Sequence, residues 1–181
     1  MLEGKNVNLR FMEKEDLSLF VEWWNNPEFF GEYLPFPPQF SKADAEKILE
    51  SARSDPFGFK VFIIEKKDGR KIGNATYYNS YIGGAKLLEI GYMIVQGERG
   101  KGYCTEAAQL MVDYLFLSMD VNRIQASTSI KNTGSQRVLE KTGFTKEGTI
   151  RKSARGERRD VYIYSILREE WKGPKILTKT A

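Results

Sequence analysis

Hydrophobic positions change their period along the chain, and each change marks an element. Val7, Leu9 and Phe11 alternate with polar neighbours, which predicts a strand over residues 6–12. Leu17, Phe20, Val21 and Trp24 recur at helical spacing, predicting a helix near 14–25. Ser41 opens a second helix, with Asp44 three residues on as in a capping box. Ala45, Ile48, Leu49 and Ala52 form its apolar face. The intervening NNPEFFGEYLPFPPQF is a loop by its prolines and aromatics.

FKVFIIEK at 59–66 is strongly β-forming, and KDGR at 67–70 is a hairpin turn, because Asp-Gly tolerates the positive φ that tight hairpins require. Strands are expected at 71–80 and 87–95, then a helix near 102–117 with Ala107, Leu110, Met111, Tyr114 and Leu115 on one face. Residues 122–129 alternate as a strand. Asn132 can cap a helix running to about 142, where Gly143 stops it. Strands near 144–151 and 160–168 close the pattern. The order β α α β β β α β α β β predicts a single α/β domain, a mixed sheet with helices on its faces. The domain is expected over 1–171, and the tail KGPKILTKTA (172–181) is expected to fray.

Composition narrows the chemistry. With 41% hydrophobic and 29% charged residues, the 181-residue chain is globular. No apolar run approaches the roughly 20 residues of a membrane span. The first twenty residues show no signal-peptide pattern. Cys104 is the only cysteine, so no intrachain disulfide forms. A cytoplasmic protein without membrane attachment is expected. There is no histidine, which removes Ser-His and Cys-His pairs and Cys/His zinc sites. The net charge of +4 suits an anionic ligand without demanding nucleic acid. Arg151, Lys152, Arg155, Arg158 and Arg159 concentrate it, in what reads first as a solvated loop.

QGERGKGYCTEAA, at 96–108, hands a strand over to a helix. A helix start offers unpaired N–H groups and the positive end of its dipole, where phosphates bind readily. Gly100 and Gly102 leave the backbone bare, and Arg99 and Lys101 add charge. A P-loop fails on spacing, because two residues separate Gly97 from Gly100 and Gly102 follows Lys101. The dinucleotide fingerprint fails because position 105 is Thr. Taken alone, the glycines fit a tight turn equally well.

RGKGYCTEAAQLMVDYLF, followed at matching spacing by NTGSQRVLEKTGFTKEGTIR, resembles the GNAT superfamily of acetyl-CoA-dependent N-acetyltransferases, in its RimJ/RimL-like branch. The resemblance extends from VNLRFMEKEDL to RRDVYIYSILREEW. It implies a mostly antiparallel twisted sheet of about seven strands with helices on both faces. It also implies acetyl-CoA as co-substrate, with its pyrophosphate on the backbone of Arg99, Gly100, Lys101, Gly102 and Tyr103. Gly97 departs from the Gln or Arg frequent at that position. Backbone donors for the oxyanion are implied at Met93, Ile94 and Val95.

Many relatives place a tyrosine proton donor where this chain has Leu139. The branch resemblance instead implies Asn132 as a cofactor contact and Ser135 as the group serving the leaving sulfur, although both also suit plain helix capping. Glu89, in LLEIGYMIV, matches the general-base position. Its alternative is a structural glutamate paired with Lys or Arg, and Glu157 and Asp160 are other candidate bases. Phe30, Tyr33 and Phe36 are expected to shape the acceptor pocket, or else to cover the sheet. Cys104 sits where a thiolate would be favoured, but direct transfer needs no acyl-cysteine.

The expected activity is acetyl transfer to a primary amine, foremost a protein or peptide α-amino group, by direct attack in a ternary complex. The alternatives are a small amine such as a polyamine, amino acid or aminoglycoside, a non-catalytic CoA-binding module, or a basic nucleic-acid-binding domain, which the modest charge disfavours. No metal is expected, and the chain is expected to be a monomer or homodimer.

Overall fold

The computed structural model describes residues 1–31, 39–55, 58–82, 85–153 and 160–175. Its strands are β1 (Leu2–Glu3), β2 (Val7–Phe11), β3 (Phe59–Lys66), β4 (Lys71–Ile82), β5 (Ala85–Ile94), β6 (Arg123–Ser129), β7 (Thr145–Ile150) and β8 (Val161–Leu167). Its helices are α1 (Leu17–Asn25), α2 (Pro27–Phe30), α3 (Lys42–Ser54), α4 (Tyr103–Ser118) and α5 (Thr133–Thr142). The strands form one sheet in the order β1-β2-β3-β4-β5-β6-β8-β7. Every pairing is antiparallel except β5 with β6.

The sheet has one strand more than expected. β1 pairs Leu2 with Leu9 and Glu3 with Asn8, and two residues are too few to leave a periodic signal. The single turn α2 also lies where a loop was expected. Pro27 takes its first position and Asn26 caps it by accepting from Glu28 N, so local chemistry alone builds it. The capping box at Ser41 forms as read, with Asp44 N donating to Ser41 Oγ at 3.1 Å and Ser41 N to Asp44 Oδ2 at 3.0 Å.

β3 explains its own unbroken apolar run. Phe62 and Ile64 pack beneath α4, while Val61 and Ile63 pack beneath α1 and α3, so the strand is buried on both faces. Two buried carboxylates fix the edges of the domain. Asp16 is 0% exposed and accepts from Arg10 Nη1 and Nη2 at 2.7 and 2.8 Å and from Lys71 Nζ at 2.6 Å. Asp113, on α4, accepts from Trp171 Nε1 at 2.9 Å and from the backbone N–H of Lys175 at 2.6 Å, which ties the C-terminal segment to that helix. Among the described residues, no helix is long and apolar enough to cross a membrane.

The feature that positions the site is the join between β5 and β6. They pair only at Leu88 with Ile124 and Glu89 with Gln125, although β5 continues to Ile94 and β6 to Ser129. Beyond Glu89 the two strands part, leaving a gap in an otherwise continuous sheet.

Candidate active site

Two cavities meet at this gap. One, of about 470 Å³, lies between the start of α4 and α5 and is walled by Arg99, Gly100, Gly102, Tyr103, Gly134 and Arg137, among others. The other, of about 370 Å³, lies on the sheet face covered by α1 and α3, against Trp24, Asn74, Thr76, Tyr78 and Ser127. Tyr92, Met93, Asn132 and Ser135 line both. The two chambers therefore communicate where β5 and β6 have parted.

The larger cavity fits an anion. Gly100 and Gly102 have φ of +77° and +87°, which L side chains rarely adopt. Gly102 is the N-cap of α4, and the first-turn N–H groups of Tyr103, Cys104 and Thr105 have no intrahelical acceptor. The flanking cations have other roles. Arg99 donates from Nε to Ile94 O at 3.1 Å and from Nη2 to Glu28 O and Phe29 O at 2.9 and 2.7 Å, so it clamps α2 to the end of β5. Lys101 Nζ donates to Gly97 O and Glu98 Oε2. The cradle is thus mainly backbone. Side-chain charge at the cleft comes instead from Arg137 and Lys141, one helical turn apart on α5, which sequence reading missed. Neither makes an ion pair among the described residues.

Donors for an oxyanion are sorted by strand alternation. Val95 N donates to Ile72 O on the β4 side at 2.9 Å. An antiparallel pair alternates its bonds, so the N–H groups of Tyr92 and Ile94 turn toward the gap. Ile94 O, on that same side, receives Arg99. Of Met93, Ile94 and Val95, only Ile94 therefore presents its N–H to the gap, and Tyr92 joins it.

Asn132 and Ser135 stand at the junction. Asn132 Oδ1 accepts from Ser135 N at 3.0 Å, so Asn132 caps α5 while it lines both cavities. Ser135 Oγ lies 3.1 Å from Tyr92 Oη, which also donates to Ser135 O at 3.3 Å. Burial pushes the Tyr92 phenol well up, against the Ser135 hydrogen bond that lowers it, so it stays protonated at neutral pH. Tyr92 is the residue the sequence concealed. It alternates with Ile90 and Ile94 and reads as one more core position. Leu139, where a tyrosine donor was sought, is buried.

Glu89 is 7% exposed, and it accepts from Ser127 Oγ at 2.6 Å and from Gln125 Nε2 at 3.1 Å. Tyr78 stands opposite it across the β4–β5 pair. Burial first, and then the Glu89 charge, push that phenol up. Among the described residues Glu89 has no Lys or Arg partner.

Phe30 lines the larger cavity and packs edge-on against Trp24 of the smaller one, with centroids 5.5 Å apart. Tyr33, Phe36 and Glu157 lie outside the described residues. Asp160 accepts from Lys152 N at 2.9 Å and lines neither cavity. Burial pushes the Cys104 thiol up to about 12, outweighing Arg99, so it is not a thiolate at neutral pH. No cluster of His, Cys, Asp or Glu among the described residues could hold a metal ion.

Residues 6–145 match the acetyltransferase (GNAT) domain family. The chain is 31% identical over 176 residues to the N-acetyltransferase p20 of Bacillus licheniformis, covering 95% of this chain and 98% of that one. It is 30% identical over 180 residues to YdaF of Bacillus subtilis, provisionally a ribosomal N-acetyltransferase, covering 95% and 97%. The fold matches that of Mycobacterium smegmatis RimJ in complex with CoA-disulfide, with a TM-score of 0.79, 24% identity and coverage of 93% and 85%. It also matches spermidine N-acetyltransferase of Vibrio cholerae in complex with CoA and spermine, with a TM-score of 0.78, 22% identity and coverage of 91% and 96%. The chain belongs to the acetyltransferase (GNAT) family and is an acetyl-CoA-dependent N-acetyltransferase.

Proposed function

We propose that the protein acetylates the α-amino group of a protein or peptide N-terminus by direct attack in a ternary complex. The observation that carries this reading is the junction itself. Among the described residues the larger cleft and the second cavity share only Tyr92, Met93, Asn132 and Ser135. A donor held on one side of the sheet and an amine entering from the other meet there without a covalent relay.

Acetyl-CoA supplies a thioester carbonyl that an unprotonated amine attacks and a thiol that departs. The chain supplies the rest. Backbone from Gly100 to Thr105, with Arg137 and Lys141, holds the phosphates. The N–H groups of Tyr92 and Ile94 face the charge that develops on the carbonyl oxygen. Ser135 offers its hydroxyl proton to the sulfur. Either hydroxyl of the Tyr92–Ser135 pair can donate, and with Tyr92 as the donor the Ser135 proton is free to point outward. Glu89 is the final acceptor of the ammonium proton.

The smaller cavity favours a peptide over a polyamine. No carboxylate side chain lines it among the described residues. A polyamine brings further ammonium groups, each costly to bury without a partner. A peptide brings one amine on a neutral chain. The similarity to YdaF supports the same choice. The test is acetyl-CoA consumption with unblocked peptides of varied first residue against spermidine and spermine. Turnover of peptides alone is expected; turnover of polyamines alone would refute the reading.

A further inference from the structure

The proposed base is set back from the acceptor cavity. Glu89 is absent from the walls of the smaller cavity, whereas Ser127, bonded to it, and Tyr78, paired with it across β4 and β5, are part of them. Ser127 stands two residues beyond Gln125, the last β6 residue paired with β5, on the same strand face and at the lip of the gap. Its side chain is exposed while the carboxylate behind it is buried.

The hydrogen bond between them has one direction. A carboxylate only accepts, so the Ser127 hydroxyl proton lies toward Glu89 Oε1, 2.6 Å away. The oxygen lone pairs of Ser127 are left for a donor in the cavity. Gln125 Nε2 holds the other carboxylate oxygen at 3.1 Å, and this fixes which oxygen faces Ser127.

We propose that Ser127 is the group that takes the proton of the acceptor ammonium, passing its own hydroxyl proton to Glu89. This rests on the reading of Glu89 as base. One N–H bond breaks and its electron pair stays on nitrogen. An O–H bond forms at Ser127 Oγ as the original one breaks toward Glu89 Oε1. The amine and Glu89 end neutral and Ser127 is unchanged. After transfer the carboxyl returns its proton to solvent by the same route. Tyr78 is the titratable group that faces Glu89 from β4, and the β6 side presents the neutral Gln125 and Ser127.

The test compares wild-type protein with Ser127→Ala, Ser127→Thr, Tyr78→Phe, Glu89→Gln and the Ser127→Ala/Glu89→Gln double variant. The acceptors are an unblocked alanine-initiated hexapeptide and spermidine, since the relay concerns the ammonium and not the remainder of the acceptor. Ser127→Ala is expected to lower kcat/KM at pH 7 about tenfold or more. Acetyl-CoA affinity by calorimetry and the melting temperature should stay unchanged. Ser127→Thr should restore most of the rate. The double variant should be no slower than Glu89→Gln, because the two act in series. Raising the pH should recover part of the loss, as more acceptor arrives deprotonated. A normal Ser127→Ala beside an impaired Glu89→Gln would overturn the relay and leave the base. Loss in Tyr78→Phe without loss in Ser127→Ala would move the relay to Tyr78 and overturn the assignment. A normal Glu89→Gln would overturn the base and the relay together.

Discussion

Gly100 and Gly102 give a prediction whose size can be worked from the backbone. A Cβ built on either meets nothing within 4 Å, so alanine would clash with no atom of the protein. The cost is conformational, because φ of +77° and +87° puts a Cβ against its own carbonyl for about 1–2 kcal/mol per residue. If the loop keeps its shape, each alanine lowers stability by that amount. If the loop relaxes, the N–H groups turn from the cleft and the same energy appears as weaker acetyl-CoA binding, about 5- to 30-fold. Calorimetric affinity and denaturant midpoints measured on the same variants capture both routes. Gly97→Ala is the internal control, having open space around it and no positive φ. Valine at 100 or 102 should do at least as much as alanine. Unchanged affinity and stability in both variants, or an equal loss at Gly97, would refute a cradle held by backbone geometry.

Tyr92→Phe should lower kcat about tenfold with little change in the KM for acetyl-CoA, and Ser135→Ala should mask it; independent losses in the double variant would show that Tyr92 does not act through Ser135. Cys104→Ala should keep kcat within about twofold, since a thiol pushed up to about 12 is protonated at working pH; acetyl-cysteine detected by mass spectrometry would contradict this. Asp16 feels burial raising it, but the bonds from Arg10, Lys71 and the Glu13 backbone win and lower it from 3.8 to about 2. A depressed carboxylate stabilises above its unfolded value, so roughly 2 kcal/mol should be lost as pH falls from about 4 through about 2, read from urea midpoints. Arg137→Ala with Lys141→Ala should weaken acetyl-CoA binding more at low than at high salt, which titrations at two ionic strengths would reveal.

Much of this was legible because its signals are local. Asn132, Gly143, Ser41 and Asp44 each act within a few residues, and each caps or stops its helix as its type suggests. What escaped depends on distance or direction. Arg99 and Lys101 read as charges for a phosphate, yet their donors go to carbonyls and a carboxylate of the fold, which spacing cannot show. Arg137 and Lys141 lie on a helix whose cleft-facing side becomes known only once α4 lies beside it. Tyr92 looked like core because alternation gives a face, not a partner, and its partner Ser135 is 43 residues away. Glu89 was legible as a candidate, but that Ser127 would stand in front of it required the register of β5 with β6.

The Arg99 clamp predicts a thermodynamic link between the two substrates. The residue that opens the phosphate turn also grips the carbonyls of Glu28 and Phe29, and so fixes the helix whose Phe30 packs edge-on against Trp24 of the amine chamber. Ordering the turn around a bound phosphate restrains Arg99, and through it α2. Cofactor occupancy should then alter acceptor affinity, and by reciprocity the acceptor should alter cofactor affinity by the same factor. Steady-state kinetics should show this as ordered addition with acetyl-CoA first, and Arg99→Ala should bring the order of addition closer to random.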